Sequence, residues 1–76
     1  MRMTLENTSK IVELNGVPAR IWEGCTESGI PVVAFVTRVA VAEGQAAEAY
    51  AEFERELRAT RPPSAEAAAI PARLIL

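Results

Sequence analysis

The run IPVVAFVTRVAV, at positions 30–41, is apolar on both faces when it is extended as a strand. Its odd positions carry mainly valine and phenylalanine, and its even positions carry valine and alanine with a single charge, Arg38. A chain of 76 residues has only enough helix to cover one face of a small sheet. A strand that is apolar on both sides therefore predicts a second covering layer, supplied by another copy of the protein or by a partner.

Composition and net charge limit the classes of protein to which this chain can belong. Residues 1–76 are expected to form one folded domain, near the size at which a single core is marginal. Charged residues make up 24% of the chain, whereas the 50% of hydrophobic residues is high for so small a domain and favours assembly. The net charge of −2 has the wrong sign for non-specific nucleic-acid binding. No apolar stretch approaches the ~18 residues that span a bilayer, so we expect neither a membrane partner nor a membrane location.

Missing residue types argue against catalysis. The chain has no histidine and no aspartate, which excludes histidine-dependent nucleophiles and histidine-ligated metal sites. Cys25 is the only cysteine, so neither an internal disulfide nor a cysteine-based zinc site can form. We therefore expect no enzyme activity, no cofactor and no metal.

The pair Asn15-Gly16 lies between two strand-like runs and is the strongest short hairpin signal in the chain. A two-residue turn there sets the pairing of the first two strands and gathers one apolar set on a single face. The predicted cross-strand pairs are Leu14 with Val17, Val12 with Ala19, and Lys10 with Ile21. Residues 1–8 are expected to be a loose lead-in.

The second turn, around Ser28-Gly29, leads into a third strand over residues 30–41 and leaves the register open. A two-residue turn would place Trp22 opposite Phe35. A three-residue turn would move the register by one residue and change those partners.

From residue 45 to residue 59 the apolar period becomes that of a helix. Its stripe includes Tyr50, Phe53 and Leu57, which we expect to pack on the apolar face of the hairpin. Pro62 and Pro63 end the helix, Ser64 caps a short turn over residues 65–69, and residues 72–76 form a closing strand or a docking segment. The prediction is an α+β fold: a three-stranded antiparallel β-meander with one main helix on one face.

Five residues are candidates for binding, and they are Arg20, Trp22, Glu27, Phe35 and Arg38. Arg20 and Trp22 share the other face of the hairpin, where a guanidinium and an aromatic ring could anchor a partner or stack a base. The alternative is that Trp22 only covers the sheet beneath the C-terminal tail. Arg38 is an edge residue whose side chain extends to solvent, or a partner of Glu13 or Glu23 in an ion pair, or a group that captures an anion at an oligomer interface.

Two segments carry a resemblance. The stretch over residues 12–41, with ELNGVPARIWEG and TESGIP, and the tail from RPPSAE to IPARLIL resemble small accessory proteins of tailed phages and prophages. The resemblance implies a cytoplasmic protein of the host cell that binds a host factor, including defence systems.

Two functional hypotheses follow. In the first, a non-catalytic module inhibits a host protein through Arg20, Trp22 and the turn at Glu27. In the second, an oligomer sequesters a small anionic ligand, such as a nucleotide, between Arg20 and Arg38; a structural phage component is a further alternative. In each case we expect a homo-oligomer, most simply a dimer, formed through the second apolar face of the sheet or through residues 71–76.

Overall fold

The structure, a computed structural model, describes all residues 1–76 as one sheet with two helices. The elements in chain order are β1 (Met3–Leu14), β2 (Val17–Thr26), β3 (Pro31–Val36), α1 (Ala47–Arg58), α2 (Ala65–Ala68) and β4 (Arg73–Leu74). The strands lie in the order β3-β2-β1-β4; the first three form an antiparallel meander, and β4 runs parallel to β1. The predicted α+β fold is confirmed, with the tail as a closing strand.

The first hairpin turns at Asn15 and Gly16, whose φ angles of 50° and 83° are those of a type I′ turn. The pairs of Leu14 with Val17 and of Val12 with Ala19 form as predicted. The twist of a type I′ turn matches that of the strands it joins, so this local signal was sufficient to set the register near the turn.

A bulge in β1 changes the pairing farther from the turn. Ile11 lies opposite Arg20 and Asn7 lies opposite Trp22, so three residues of β1 face the single residue Ile21 of β2. The predicted pair of Lys10 with Ile21 is therefore wrong. Because pairing resumes beyond the bulge, β1 extends back to residue 3, and the expectation of a loose lead-in over residues 1–8 is wrong as well.

Gly24 is required by the close approach of β1 and β2 beyond the bulge. A Cβ atom built on Gly24 would lie 1.7 Å from the carbonyl oxygen of Thr4, far inside van der Waals contact. Any other residue at position 24 would force these two strands apart.

The second hairpin uses a three-residue loop over residues 27–29. The amide of Thr26 donates to the carbonyl of Ile30 at 2.9 Å, and Gly29 takes the left-handed φ of 89° that closes such a loop. Phe35 consequently lies opposite Ile21 and not opposite Trp22, so the three-residue alternative is the correct one. The strand ends at residue 36, and the predicted strand over residues 37–41 is absent.

The core lies on one face of the sheet, the core face, which carries Val12, Ala19 and Ile21. Ala67 of α2 completes the set of fully buried hydrophobic residues. Partly buried hydrophobic residues packed against it are Leu14, Phe35 and Ile70. The short helix α2 therefore covers the core face.

The longer helix α1 lies at the opposite face, the second face, which carries Asn7, Arg20 and Trp22. The amide of Asn7 donates through Nδ2 to the carbonyl of Leu57 at 2.8 Å, near the C-terminus of α1. No residue of α1 is buried. The expectation that Tyr50, Phe53 and Leu57 pack on the core face is wrong, because the chain crosses to that face only after α1 ends.

The chain passes from the second face to the core face at Arg61, beside the edge of β1. The carbonyl of Arg61 accepts from Ser9 at 2.9 Å, and its guanidinium binds Glu6 and Glu23, each at 3.0 Å. Glu23 also accepts from the amide of Ser64 at 2.9 Å and from the Ser64 hydroxyl, while that hydroxyl caps α2 by accepting from the amide of Ala67. The Ser64 hydroxyl and amide, together with Arg61, lower the pKa of Glu23 below its ordinary value of 4.5.

Burial predicts which substitutions are most destabilising. Ile21→Ala should reduce the free energy of unfolding by about 2–5 kcal/mol, because it removes a fully buried side chain from a core with few members. Phe53→Ala should cost clearly less, since Phe53 is only half-buried on α1. Urea unfolding of both variants measures the two values, and a larger loss for Phe53→Ala would contradict the placement of the core.

The anchoring of Glu23 predicts a pH dependence. Because the pKa of Glu23 is lowered in the folded state, its ionised carboxylate stabilises the fold above pH 4.5. This contribution is lost as the pH falls through the pKa that Glu23 has in the folded state. Glu23→Gln should lower Tm near neutral pH, and its deficit relative to the original protein should shrink below pH 4.5. Glu52→Gln, which removes a helix carboxylate outside every ion pair, is the control; a deficit for Glu23→Gln that is constant with pH would contradict the account.

Candidate functional site

A cleft of about 350 Å³ opens on the second face between the end of β3, the middle of β2 and the C-terminal turn of α1. Nine residues line it, and they are Arg20, Trp22, Val36, Thr37, Arg38, Val39, Leu57, Arg58 and Thr60. Three of the nine are arginines and none is acidic, so the walls of this arginine cleft carry net positive charge.

Arg20 is directed into the cleft by strand alternation and held there by the bulge in β1. It is paired with Val36, the last residue of β3, and its Nη1 donates to the carbonyl of Thr8 at 2.8 Å. Residues inside a bulge leave the strand ladder, which frees this carbonyl to accept from a side chain. Only one end of the guanidinium is used in this way, and Arg20 takes part in no ion pair.

Arg38 follows β3 by two residues and is exposed. The partners considered for it are already engaged: Glu13 binds Arg73 at 3.1 Å, and Glu23 binds Arg61 at 3.0 Å. The expectation of an ion pair to either acid is therefore wrong. Arg38 is left with an unneutralised guanidinium at the wall of the cleft.

Arg58 is the third arginine, from the last turn of α1. Its Nη2 lies 2.6 Å from Oε1 of Glu54, one turn earlier, and both side chains are largely exposed. Exposed pairs of this kind contribute little to stability, so an anion in the cleft can compete with Glu54 for Arg58. Arg58 can therefore add to the field of the cleft while Glu54 remains outside its lining.

Trp22 is half-buried and forms the wall between the arginine cleft and two neighbouring hollows. One hollow, of about 230 Å³, is shared with Asn7 and Phe53; the other, of about 360 Å³, is shared with Glu6 and Arg61. The tail pairs with β1 at the far edge of the sheet, so Trp22 does not lie beneath it. The indole is instead flanked by α1 and keeps accessible surface within the cleft.

The other two candidates lie elsewhere. Phe35 points to the core face and packs against the buried cluster. Glu27, in the second turn, borders an open hollow of about 530 Å³ with Arg2 and Thr4. The structure therefore brings together Arg20, Trp22 and Arg38, and separates them from Phe35 and Glu27.

Arg58, Thr37 and Thr60 were not anticipated as part of this site. Their sequence signal is weak, because an arginine in the last turn of a helix is ordinarily explained by the helix dipole. Only the position of α1 on the second face brings Arg58 next to Arg20 and Trp22.

Comparison with protein-family models, with curated proteins and with solved structures finds no match to this chain. Neither helix has the length and apolar character needed to cross a bilayer.

The charge of the cleft can be tested by quenching the fluorescence of Trp22, the only tryptophan. We expect iodide to quench it several-fold more strongly than caesium, because the positive walls concentrate an anion beside the indole. Arg38→Gln should weaken quenching by iodide and leave quenching by neutral acrylamide unchanged. Arg55→Gln, which changes an α1 arginine outside the cleft, is the matched control. Equal quenching by iodide and caesium would contradict a positive cleft.

Proposed function

We propose that this chain is a non-catalytic binding protein that holds a small anionic ligand of nucleotide size in the arginine cleft. The observation that carries the proposal is the convergence of Arg20, Arg38 and Arg58 beside the ring of Trp22, without a carboxylate in the lining. The sequence alone permitted this convergence without requiring it.

The chemistry of the cleft suits a phosphate ester. A guanidinium presents a planar fork of donors that matches phosphate oxygens, and Arg38 has all of its donors available. The hydroxyls of Thr37 and Thr60 add neutral donors at the rim. The indole of Trp22 offers a face on which a base can stack. A volume of about 350 Å³ lies within the range of small-ligand sites.

The lining favours capture over turnover. It holds arginines, threonines, the indole and aliphatic side chains, and none of these is positioned beside a general base. Together with the resemblance to phage accessory proteins, this supports a role in which the protein withdraws an anionic signal from a host factor, including a defence system. In that role the protein inhibits its target by sequestration.

A second candidate is direct inhibition of a host protein by surface contact. It is favoured by the exposed apolar side chains near the N-terminus and the second turn, where Met3 is 44% and Ile30 is 59% exposed. Glu27 lies in the same region. Arg20 and Trp22 are then left without a role, because they lie in a separate cleft.

The experiment is a binding titration by calorimetry and thermal shift with nucleoside mono-, di- and triphosphates, cyclic nucleotides, and inorganic pyrophosphate. Uncharged nucleosides serve as the ligand control. We expect at least one phosphate compound to raise Tm. Arg38→Gln should weaken its binding about 10- to 100-fold, the loss of a charge-assisted hydrogen bond, whereas Arg55→Gln should not.

Two results would contradict the proposal. Tight binding that is unaffected by Arg38→Gln would place the ligand outside the arginine cleft. A silent ligand panel, together with retention of one host protein from lysate that depends on Ile30, would favour the second candidate.

A further inference from the structure

The strand β3 forms one edge of the sheet, and no strand pairs with its outer side. The bond from the Thr26 amide to the Ile30 carbonyl shows that even-numbered residues of this hairpin bond to β2. Antiparallel pairing alternates, so the main-chain groups of Val33 and Phe35 point away from β2 toward the free edge. Pro31, which has no N–H, also lies on this outer side, at the start of the strand.

This edge has little protection against pairing with another strand. Natural edges are blocked by charged residues, by proline, by bulges or by short length. The six residues of β3, PVVAFV, include no charge and no bulge. The single proline, Pro31, is the first residue of the strand and leaves the outward N–H groups of Val33 and Phe35 available. The opposite edge differs, because β4 has two residues and its Arg73 is paired with Glu13.

The exposed area of the chain is large for its mass. A folded monomer of 8.2 kDa is expected to expose roughly 4,500 Å² by the usual scaling, and this chain exposes 5745 Å². The excess of roughly 1,200 Å² exceeds the ~800 Å² that each partner buries in a standard interface. Only 5 of 76 residues are buried. A second copy would supply the missing cover.

We propose that two copies of this chain pair through β3 in an antiparallel, two-fold arrangement that joins both sheets into one. The register centres on Ala34, so that Val33 of each copy lies opposite Phe35 of the other. All four free N–H groups at these positions then find a carbonyl. The amide of Thr37 can also donate to the carbonyl of Pro31 of the second copy. This pair needs only one hydrogen bond, so the missing N–H of the proline costs nothing.

The side chains agree with this register. On the core face, each valine at position 33, which is 40% exposed, gains an aromatic neighbour from Phe35 of the other copy. On the second face, Val36 meets Val32 of the other copy, and the small Ala34 sits on the two-fold axis. The two-fold axis pairs the outer side of β3 in one copy with the same side of β3 in the other. The assembly therefore stops at a dimer, and neither β3 strand keeps a free edge.

The dimer also places the second copy next to the arginine cleft. In this register Arg38 lies opposite Ile30 of the second copy, so the partner borders the segment over residues 37–39 that forms one wall of the cleft. Any effect of the second copy on a bound ligand rests on the proposed function, whereas the dimer itself does not.

The test measures mass and cross-linking, without any ligand. Light scattering after size exclusion should give twice 8.2 kDa at micromolar concentration, and Val33→Pro, which removes one outward N–H, should shift the protein to monomer. Val33→Thr, which keeps the N–H and the branched shape, is the matched control. In a Cys25→Ser background, Ala34→Cys should form a disulfide dimer on mild oxidation, because facing residues at such a position have Cα atoms about 4.5 Å apart.

Val36→Cys in the same background should not cross-link, because position 36 faces position 32. A strict monomer at these concentrations would overturn the proposal. A dimer that survives Val33→Pro and gives no cross-link through Ala34→Cys would also overturn it, by placing the interface elsewhere. Because the cross-linking assay is independent of Val33→Pro, misfolding of that variant leaves the test intact.

Discussion

The bulge at Thr8 is the constraint on which the rest of the structure depends. Thr8 is fully buried, and its hydroxyl donates to the carbonyl of Ile21 at 2.7 Å while accepting from the amide of Lys10 at 3.3 Å. An unpaired buried carbonyl costs about 1–3 kcal/mol, so this hydroxyl is needed where the ladder is interrupted. The same residue offers its own carbonyl to Arg20, which connects the core to the arginine cleft.

One face of the sheet carries the core and the other carries the arginine cleft. This difference follows from the bulge and from the point beside it where the chain passes between the faces. The amide of Ser9 binds the carbonyl of Arg61, so the chain passes from the second face to the core face at that point. The small helix α2 can then approach the sheet closely through Ala67, while α1 remains at the other face without a buried residue. Loose packing of α1 leaves room for the cleft between its last turn, β2 and the end of β3.

Local chemistry could be predicted from the sequence, and placement across the fold could not. Asn15-Gly16 determines its own turn, and Ser64 its own cap, because both depend on neighbouring atoms. The bulge could not be predicted because residues 1–8 read as a loose lead-in, which leaves no strand on the far side of Thr8 for a bulge to interrupt. The apolar stripe of α1 predicts that this helix packs on the core face, yet the chain reaches that face only after Arg61, and α2 packs there instead. Side-chain character alone indicates Arg20, Trp22 and Arg38. The partner of Phe35 stays open in the sequence, because it depends on one residue of turn length. Arg58 is missed because the sequence predicts the wrong face for α1.

We propose that Arg20, Arg38 and Arg58 act together on one anion beside Trp22. The most direct measurement is an NMR titration with a nucleotide or pyrophosphate that follows the guanidinium resonances of all seven arginines and the indole N–H. We predict saturable shifts for the three cleft arginines and the indole, while Arg2, Arg55, Arg61 and Arg73 serve as internal controls. Small, non-saturating shifts spread evenly over all seven arginines would contradict the account.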